Sequence, residues 1–316
     1  MAKEALKKAI VKTQNGACVL TGIELPDETS LYDTDRKKQK KDGGIYIVPN
    51  TRCVDPVAHM KRHDTYRERE ELMDEIKSIM DDRRQVMKLG NGVNNQILAY
   101  SRGTDKLRAD TLEWLNTQKK IYKKEMSKRD RLVTKAITAL AEVDPFTNAA
   151  TGVRAIGPIT IASCHTYIDL SKARHASSLW SYVGLHKASH ERYTKGEAGG
   201  GNKTLRCVLY TMAESQMKLA GAYRPVYDQV KTRLSLSEKI VKSRNTQGKL
   251  IECMWKDTKP CHRHGAALRA VCKHFLADYY YVGRTLAGLE TSMLYPEAML
   301  GGTHRTIMPE ERGWVY

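Results

Sequence analysis

The sequence predicts a mainly α protein: a helical helix-hairpin-helix module, a long antiparallel coiled coil and a small α+β segment at the N-terminus. Three observations carry that expectation. Apolar residues recur at coiled-coil spacing between His63 and Glu142. Val153-Arg154-Ala155-Ile156-Gly157-Pro158-Ile159-Thr160-Ile161-Ala162 reads as a short helix, a tight glycine turn and a second helix. Strand-like runs fall within residues 1–63.

Taken in chain order, residues 1–63 open with an amphipathic stretch carrying Ala5 and Ile10. A strand at Ala17-Cys18-Val19-Leu20 follows, then a basic loop, Arg36-Lys37-Lys38-Gln39-Lys40-Lys41, and a second strand, Ile45-Tyr46-Ile47-Val48, closed by Pro49-Asn50. Residues 64–145 form the coiled-coil arm. Leu72, Ile76, Ile79, Val86, Val93 and Ile97 mark one seam, and Leu107, Trp114 and Ile121, seven apart, mark the other. The arm turns at Ser101-Arg102-Gly103-Thr104, and Gly90-Asn91-Gly92 weakens its first helix. Its outer faces, with Lys119-Lys120 and Lys123-Lys124, are basic.

Asp144-Pro145 ends the arm, and residues 146–290 form the helical module. After the hairpin comes a short helix from His175 to Leu185, capped by Ser177 or Ser178 and stopped by Gly184. A polar stretch runs from Ser189 to Gly201, after which Asn202 caps a helix with Leu205, Val208, Leu209 and Met212 on its apolar side. Tyr223 to Leu236 is helical, residues 243–262 are an irregular insertion, and His264 to Leu286 is a long helix with Leu268, Val271, Cys272, Phe275 and Leu276 inward. Residues 291–316, rich in Pro and Gly, form a tail.

Composition narrows the partner. Lys and Arg total 53 against 36 Asp and Glu, a formal charge of +17, which favours a polyanion through counterion release. No apolar run approaches the roughly 20 residues a spanning helix needs, and the first residues lack a signal peptide's apolar core and cleavage site. The expectation is a cytoplasmic, nucleoid-associated protein facing DNA, or a structured or guide RNA, rather than a membrane. Seven scattered cysteines, an odd number in a chain this long, read as reduced thiols. The arm makes a homo-oligomer the expected state.

The turn at Ile156, Gly157, Pro158, Ile159 and Thr160 presents backbone N–H groups at a helix start, where a phosphate oxygen docks without any base being read. Lys172, Arg174, Lys195, Lys203 and Arg206 flank it as phosphate contacts, with Arg263, Arg269 and Lys273 extending the footprint. Cys18, Cys53, His59 and His63 are possible zinc ligands. Thr21 stands where a second cysteine would complete a knuckle, so no metal is assigned. Cys253, Cys261, His262 and His264 fit no familiar ligand spacing.

Several of these motifs together carry a resemblance. Ile156-Gly157-Pro158-Ile159-Thr160, Tyr167-Ile168-Asp169, His175-Ala176-Ser177-Ser178-Leu179, Ser181-Tyr182-Val183-Gly184-Leu185 and Gly201-Asn202-Lys203-Thr204-Leu205-Arg206 follow one another in a telling order. That order resembles the C-terminal module of insertion-sequence transposases of the IS-one-ten type, the bridge-RNA-guided serine recombinases. The likeness runs from about Val153 to Asp228, Arg269–Tyr281 looks like the module's closing helix, and Asp82-Arg83-Arg84-Gln85 with Asn94-Asn95 looks like the family's coiled coil.

The resemblance implies DNA strand cleavage and transfer in recombination or transposition, by a serine nucleophile beside magnesium held by a RuvC-like domain. This chain departs from it. Residues 1–63 are too few for that domain, and Val54-Asp55-Pro56 keeps at most one carboxylate, Asp55. Tyr193-Thr194-Lys195-Gly196 stands where Ser-Gly is expected, leaving Thr194 and Ser189 as the nearest hydroxyls. Two functions follow: a transposase or recombinase, or a diverged relative that binds DNA or RNA without cutting it. A glycosylase would use Asp169 behind the hairpin, but the resemblance already accounts for that loop.

Overall fold

The computed structural model describes residues 2–19, 21–22, 24–25, 33–36, 51–54, 56–103, 109–186, 200–244, 247, 249–292 and 307–316. The chain is mainly helical and forms two compact units, residues 1–71 and 72–316. Among the described residues, no helix is long and apolar enough to cross a membrane.

In the first unit, α1 (Ala2–Thr13) packs on an antiparallel pair, β1 (Asp33–Arg36) and β2 (Thr51–Val54), in which Thr34 faces Cys53. Ile10, Cys18, Leu25, Cys53 and Val54 make its core, whereas Ala5 is exposed. The Gln14 side chain ties the helix end to the sheet: its amide accepts from Cys53 N at 2.7 Å and donates to the carbonyls of Cys53 and Ala17. Of the strand expected at Ala17–Leu20, the described residues Ala17, Cys18 and Val19 form none. Asn15 and Gly16 both take positive φ and turn the chain, so Ala17 makes only a bridge to Glu24. Ile45–Asn50 and Lys37–Lys41 lie outside the described residues.

The helix α2 (Pro56–Ser101) starts well before His63 and continues unbroken through Gly90-Asn91-Gly92. Its residues from Leu72 onward belong to the second unit. There α2 and α3 (Ala109–Val143) lie side by side in opposite directions. Arg83 pairs with Asp130 at 2.6 Å, Arg129 with Asp82 at 2.7 Å, and a Cβ at Gly90 would sit 3.4 Å from that of Tyr122. Ile76 and Val86 are buried as expected of the first seam, Leu72, Ile79, Val93 and Ile97 are only partly so, Met80 is buried beside them, and the chain leaves α2 through Gly103 at φ 71°. The second seam is displaced by one residue. Trp114 is 58% and Ile121 46% exposed, while Leu115, Val133, Ala136, Ile137 and Leu140 are buried. Leu107 and Thr104 lie outside the described residues.

The remaining helices surround one core, built on α9 (Pro260–Leu286), whose Leu268, Val271, Cys272, Phe275 and Leu276 face inward as their spacing predicts. Packed about it are α4 (Pro145–Gly152), α5 (Pro158–Tyr167), α6 (Ala176–Tyr182), α7 (Lys203–Lys218) and α8 (Arg224–Leu236). Asn202 caps α7 through a 2.9 Å bond from Leu205 N. The cap residue of α6 is His175 rather than Ser177 or Ser178, and no side chain bonds to that helix start. The stretch 243–262 is not irregular: β3 (Ile240–Arg244) and β4 (Leu250–Met254) form an antiparallel hairpin, followed by a 3-10 turn, Trp255–Asp257. At the chain's end Trp314 is fully buried against the same core.

Candidate nucleic-acid interface

The bend between α4 and α5 is built on a buried polar chain. The Asp144 carboxylate caps α4, accepting from Thr147 N at 2.9 Å and from the Thr147 hydroxyl at 2.5 Å. Because that hydroxyl donates to Asp144, its oxygen accepts from His165 Nε2 at 2.9 Å, and His165 Nδ1 shares a 2.9 Å hydrogen bond with the Tyr279 hydroxyl. One chain of hydrogen bonds therefore locks α4, α5 and α9 together.

Within the bend it is Ala155, at φ 63°, that takes the left-handed conformation, while Gly157 is the extended cap residue of α5. Ile156 and Thr160 are buried, Pro158 and Ile159 partly so, and Gly157 and Arg154 are exposed. Thr160 N and Ile161 N both donate to the Gly157 carbonyl, and Pro158 has no N–H. The donors left at this helix start are the amides of Gly157 and Ile159, which have no protein acceptor among the described residues. The far side of the bend is fixed by Gln216 Nε2, which donates to the Arg154 carbonyl at 3.1 Å.

The cations expected to surround the bend do not gather there. Lys172 and Arg174 follow the opposite end of α5, and Lys172 pairs with Asp169 at 3.0 Å. The Asp169 carboxylate accepts from Ser171, hydroxyl and N–H, which together with Lys172 holds it below the usual range against a smaller upward push from burial. Asp169 thus organises its own loop. Lys203 and Arg206 occupy the first turn of α7, whereas the bend rests on Gln216 near the last. Ten residues of helix separate Arg206 from Gln216, about 15 Å at 1.5 Å per residue. Asp55, Ser189, Thr194 and Lys195 lie outside the described residues.

What the fold assembles instead is a basic face between α7 and α9. Arg269 Nε donates to the Tyr210 hydroxyl at 3.3 Å, and Cys272 Sγ to the Leu209 carbonyl. Both the start of α7 and Lys273 touch α6: Asn202 N donates to the Tyr182 carbonyl at 2.7 Å, and Trp180 Nε1 to the Lys273 carbonyl at 3.0 Å. The two helices therefore run antiparallel, so the first turn of α7 lies toward the Lys273 end of α9, with Arg206 donating through Nη1 to the Gly200 carbonyl at 3.2 Å. The Lys273 ammonium stands 5.1 Å from the centre of the Trp180 ring, and its pKa is pushed down by burial and by Arg269.

This face ends in a cleft of about 230 Å³ between α7, α9 and the β3–β4 hairpin, lined by Tyr210, Lys242, Ser243, Trp255, His262 and Arg269 among others. Ser243 Oγ and His262 Nδ1 share a 3.2 Å hydrogen bond across it. Arg263, expected as a phosphate contact, is used internally: its Nη1 donates to the carbonyls of Trp255, Lys256 and Thr258 and pins the 3-10 turn. Lys242, Ser243 and Trp255 escape the sequence reading. The signal for them was Asn245-Thr246-Gln247-Gly248, a turn set between the apolar pairs Ile240-Val241 and Leu250-Ile251.

Cys18 and Cys53 are buried in the first unit, where the Cys53 thiol donates to the Lys7 carbonyl and burial pushes its pKa up to about 11. Among the described residues no three His, Cys, Asp or Glu side chains gather where they could hold a metal ion. The magnesium that the resemblance implies has no ligand set among the described residues. No protein-family model and no curated protein matches the chain.

Proposed function

We propose that this protein binds nucleic acid through its second unit, as a relative of the IS-one-ten type transposases acting in DNA recombination or transposition. The observation that carries the reading is the set of cations on two neighbouring helices, Lys203 and Arg206 in the first turn of α7 and Arg269 and Lys273 on α9, in a chain of net charge +17. Concentrated positive charge of this kind releases counterions from a phosphate backbone and gives tight, salt-dependent, weakly sequence-selective binding. The α4–α5 pair, read as a helix-hairpin-helix, adds a second phosphate contact through the Gly157 and Ile159 amides. The α2–α3 pair, read as an antiparallel coiled coil, carries exposed Trp114, Ile121 and Leu132 for self-association.

Titrating DNA and RNA against the protein over a range of salt tests the reading. Each of Arg206→Ala, Arg269→Ala and Lys273→Ala flattens the dependence of log affinity on log salt by about one unit. Absence of affinity for any polynucleotide at low ionic strength refutes it. A nicking assay in divalent metal separates cutting from binding: cleavage lost in Ser189→Ala or Thr194→Ala assigns the nucleophile. Tight binding without cleavage assigns a diverged, non-cutting relative.

A further inference from the structure

The cleft at the end of the basic face has the chemistry of a nucleotide site. Its cations, Lys242 and Arg269, suit a phosphate; Ser243, His262 and Tyr210 supply hydrogen-bonding groups; Trp255 supplies an aromatic wall. No carboxylate lines it among the described residues. The wall is also built in advance of any ligand. Arg263 ties the carbonyls of Trp255, Lys256 and Thr258, the Thr258 hydroxyl donates to the Trp255 carbonyl at 2.7 Å, and Trp255 N donates to the Lys239 carbonyl at 3.0 Å.

A second observation points to an occupant. Gly265 sits inside α9, where glycine weakens a helix relative to alanine. Nothing in the fold asks for it: a Cβ at Gly265 would meet no heavy atom within 4 Å, and its φ is not in the left-handed region. Gly265 does line the cleft, together with Ala266. A helix that gives up stability on the one side that faces an open, basic, aromatic cleft keeps that space for something to enter.

We propose that this cleft takes one unpaired nucleotide, its phosphate on Arg269 and Lys242 and its base against Trp255, so that the protein prefers single strands to duplex. The proposal rests on the nucleic-acid reading above and names the form of nucleic acid it selects. Affinities for a fluorescent oligothymidine and for a duplex are measured at one salt concentration in the full chain and in Gly265→Leu and Trp255→Leu. The wild type binds the single strand more tightly; each variant loses about tenfold of that affinity and keeps its duplex affinity within about twofold. Gly265→Ala, melting above the wild type, shows that the fold does not need the glycine.

Equal affinity for the two forms in the wild type overturns the proposal. So does single-strand affinity that survives both Gly265→Leu and Trp255→Leu; if Arg206→Ala and Lys273→Ala still weaken binding in that case, the nucleic-acid reading stands without the cleft. Failure of the wild type to bind either form overturns both.

Discussion

Replacing Arg312 with alanine tests how the end of the chain is held. Arg312 donates through Nε to Asp278 Oδ2 at 2.5 Å and through Nη2 to Oδ1, a bidentate pair with both side chains almost wholly buried. The Tyr223 hydroxyl donates to the same Oδ2 at 2.6 Å and accepts from Trp314 Nε1 at 2.8 Å. Removing one member of a buried ion pair leaves its partner uncompensated and costs about 3–5 kcal/mol, a large share of the roughly 5–15 kcal/mol that holds a domain folded. Burial raises the Asp278 carboxyl above the usual carboxylate range, against the pull of Arg312 and Tyr223.

A carboxyl whose folded pKa is raised contributes stability at low pH that is lost as pH rises through the folded value. Without Arg312 the opposing pull weakens and that value climbs further, so the variant recovers part of its loss by binding a proton. Urea unfolding followed by circular dichroism should therefore show the largest destabilisation near neutral pH and a smaller one in mild acid. A loss below about 1 kcal/mol at neutral pH, or one that does not change with pH, refutes the reasoning.

Two further outcomes follow from burial. Leu115→Ala should cost about 2–5 kcal/mol by emptying a packed site, whereas Trp114→Ala, one residue away on the exposed side, should stay within about 0.5 kcal/mol; chemical unfolding of both variants checks the displaced seam. Thr147→Val removes the hydroxyl that joins Asp144 to His165 while keeping its volume, and should cost about 1–3 kcal/mol by leaving buried polar groups unpaired. Slower amide exchange in α4 and α5 of the wild type than of that variant would confirm that the chain of bonds fixes the bend.

The parts of the fold that were legible are those where one local signal has one outcome. Asn202 caps α7 because a short side-chain oxygen reaches the N–H three residues on, and α9 shows its inward face because nearly its whole length is packed. The second seam was misread because Leu107, Trp114 and Ile121 offer a seven-residue repeat of large side chains. The buried set, Leu115, Val133, Ala136, Ile137 and Leu140, is set by the partner: α2 approaches α3 closely where Gly90 meets Tyr122. The β3–β4 hairpin was missed because its strands alternate weakly. Val241 and Ser243 are the buried pair on β3, and serine does not read as a core residue.

The candidate site shows the same limit at larger scale. Cations follow the α4–α5 bend in the chain, but the antiparallel packing of α7 on α9 decides which helix ends they share. Two glycines fix where α7 starts. A Cβ on Gly201 would fall 2.7 Å from the Tyr182 carbonyl oxygen, and Gly184, at φ 72°, would drive one into the Gly200 carbonyl at 2.8 Å. This close crossing starts α7 against α6 and so sets Lys203 and Arg206 at the end far from the bend. The separation has a consequence for the footprint. With about 15 Å of helix between Arg206 and the contact that holds the bend, and about 3.4 Å per nucleotide along one strand of a duplex, a strand touching both must span roughly five nucleotides or more. Shorter oligonucleotides reach one or the other. The gain in affinity with length should therefore come as a step near that size if the bend contributes, and as a smooth rise with phosphate count if the α7–α9 face binds alone.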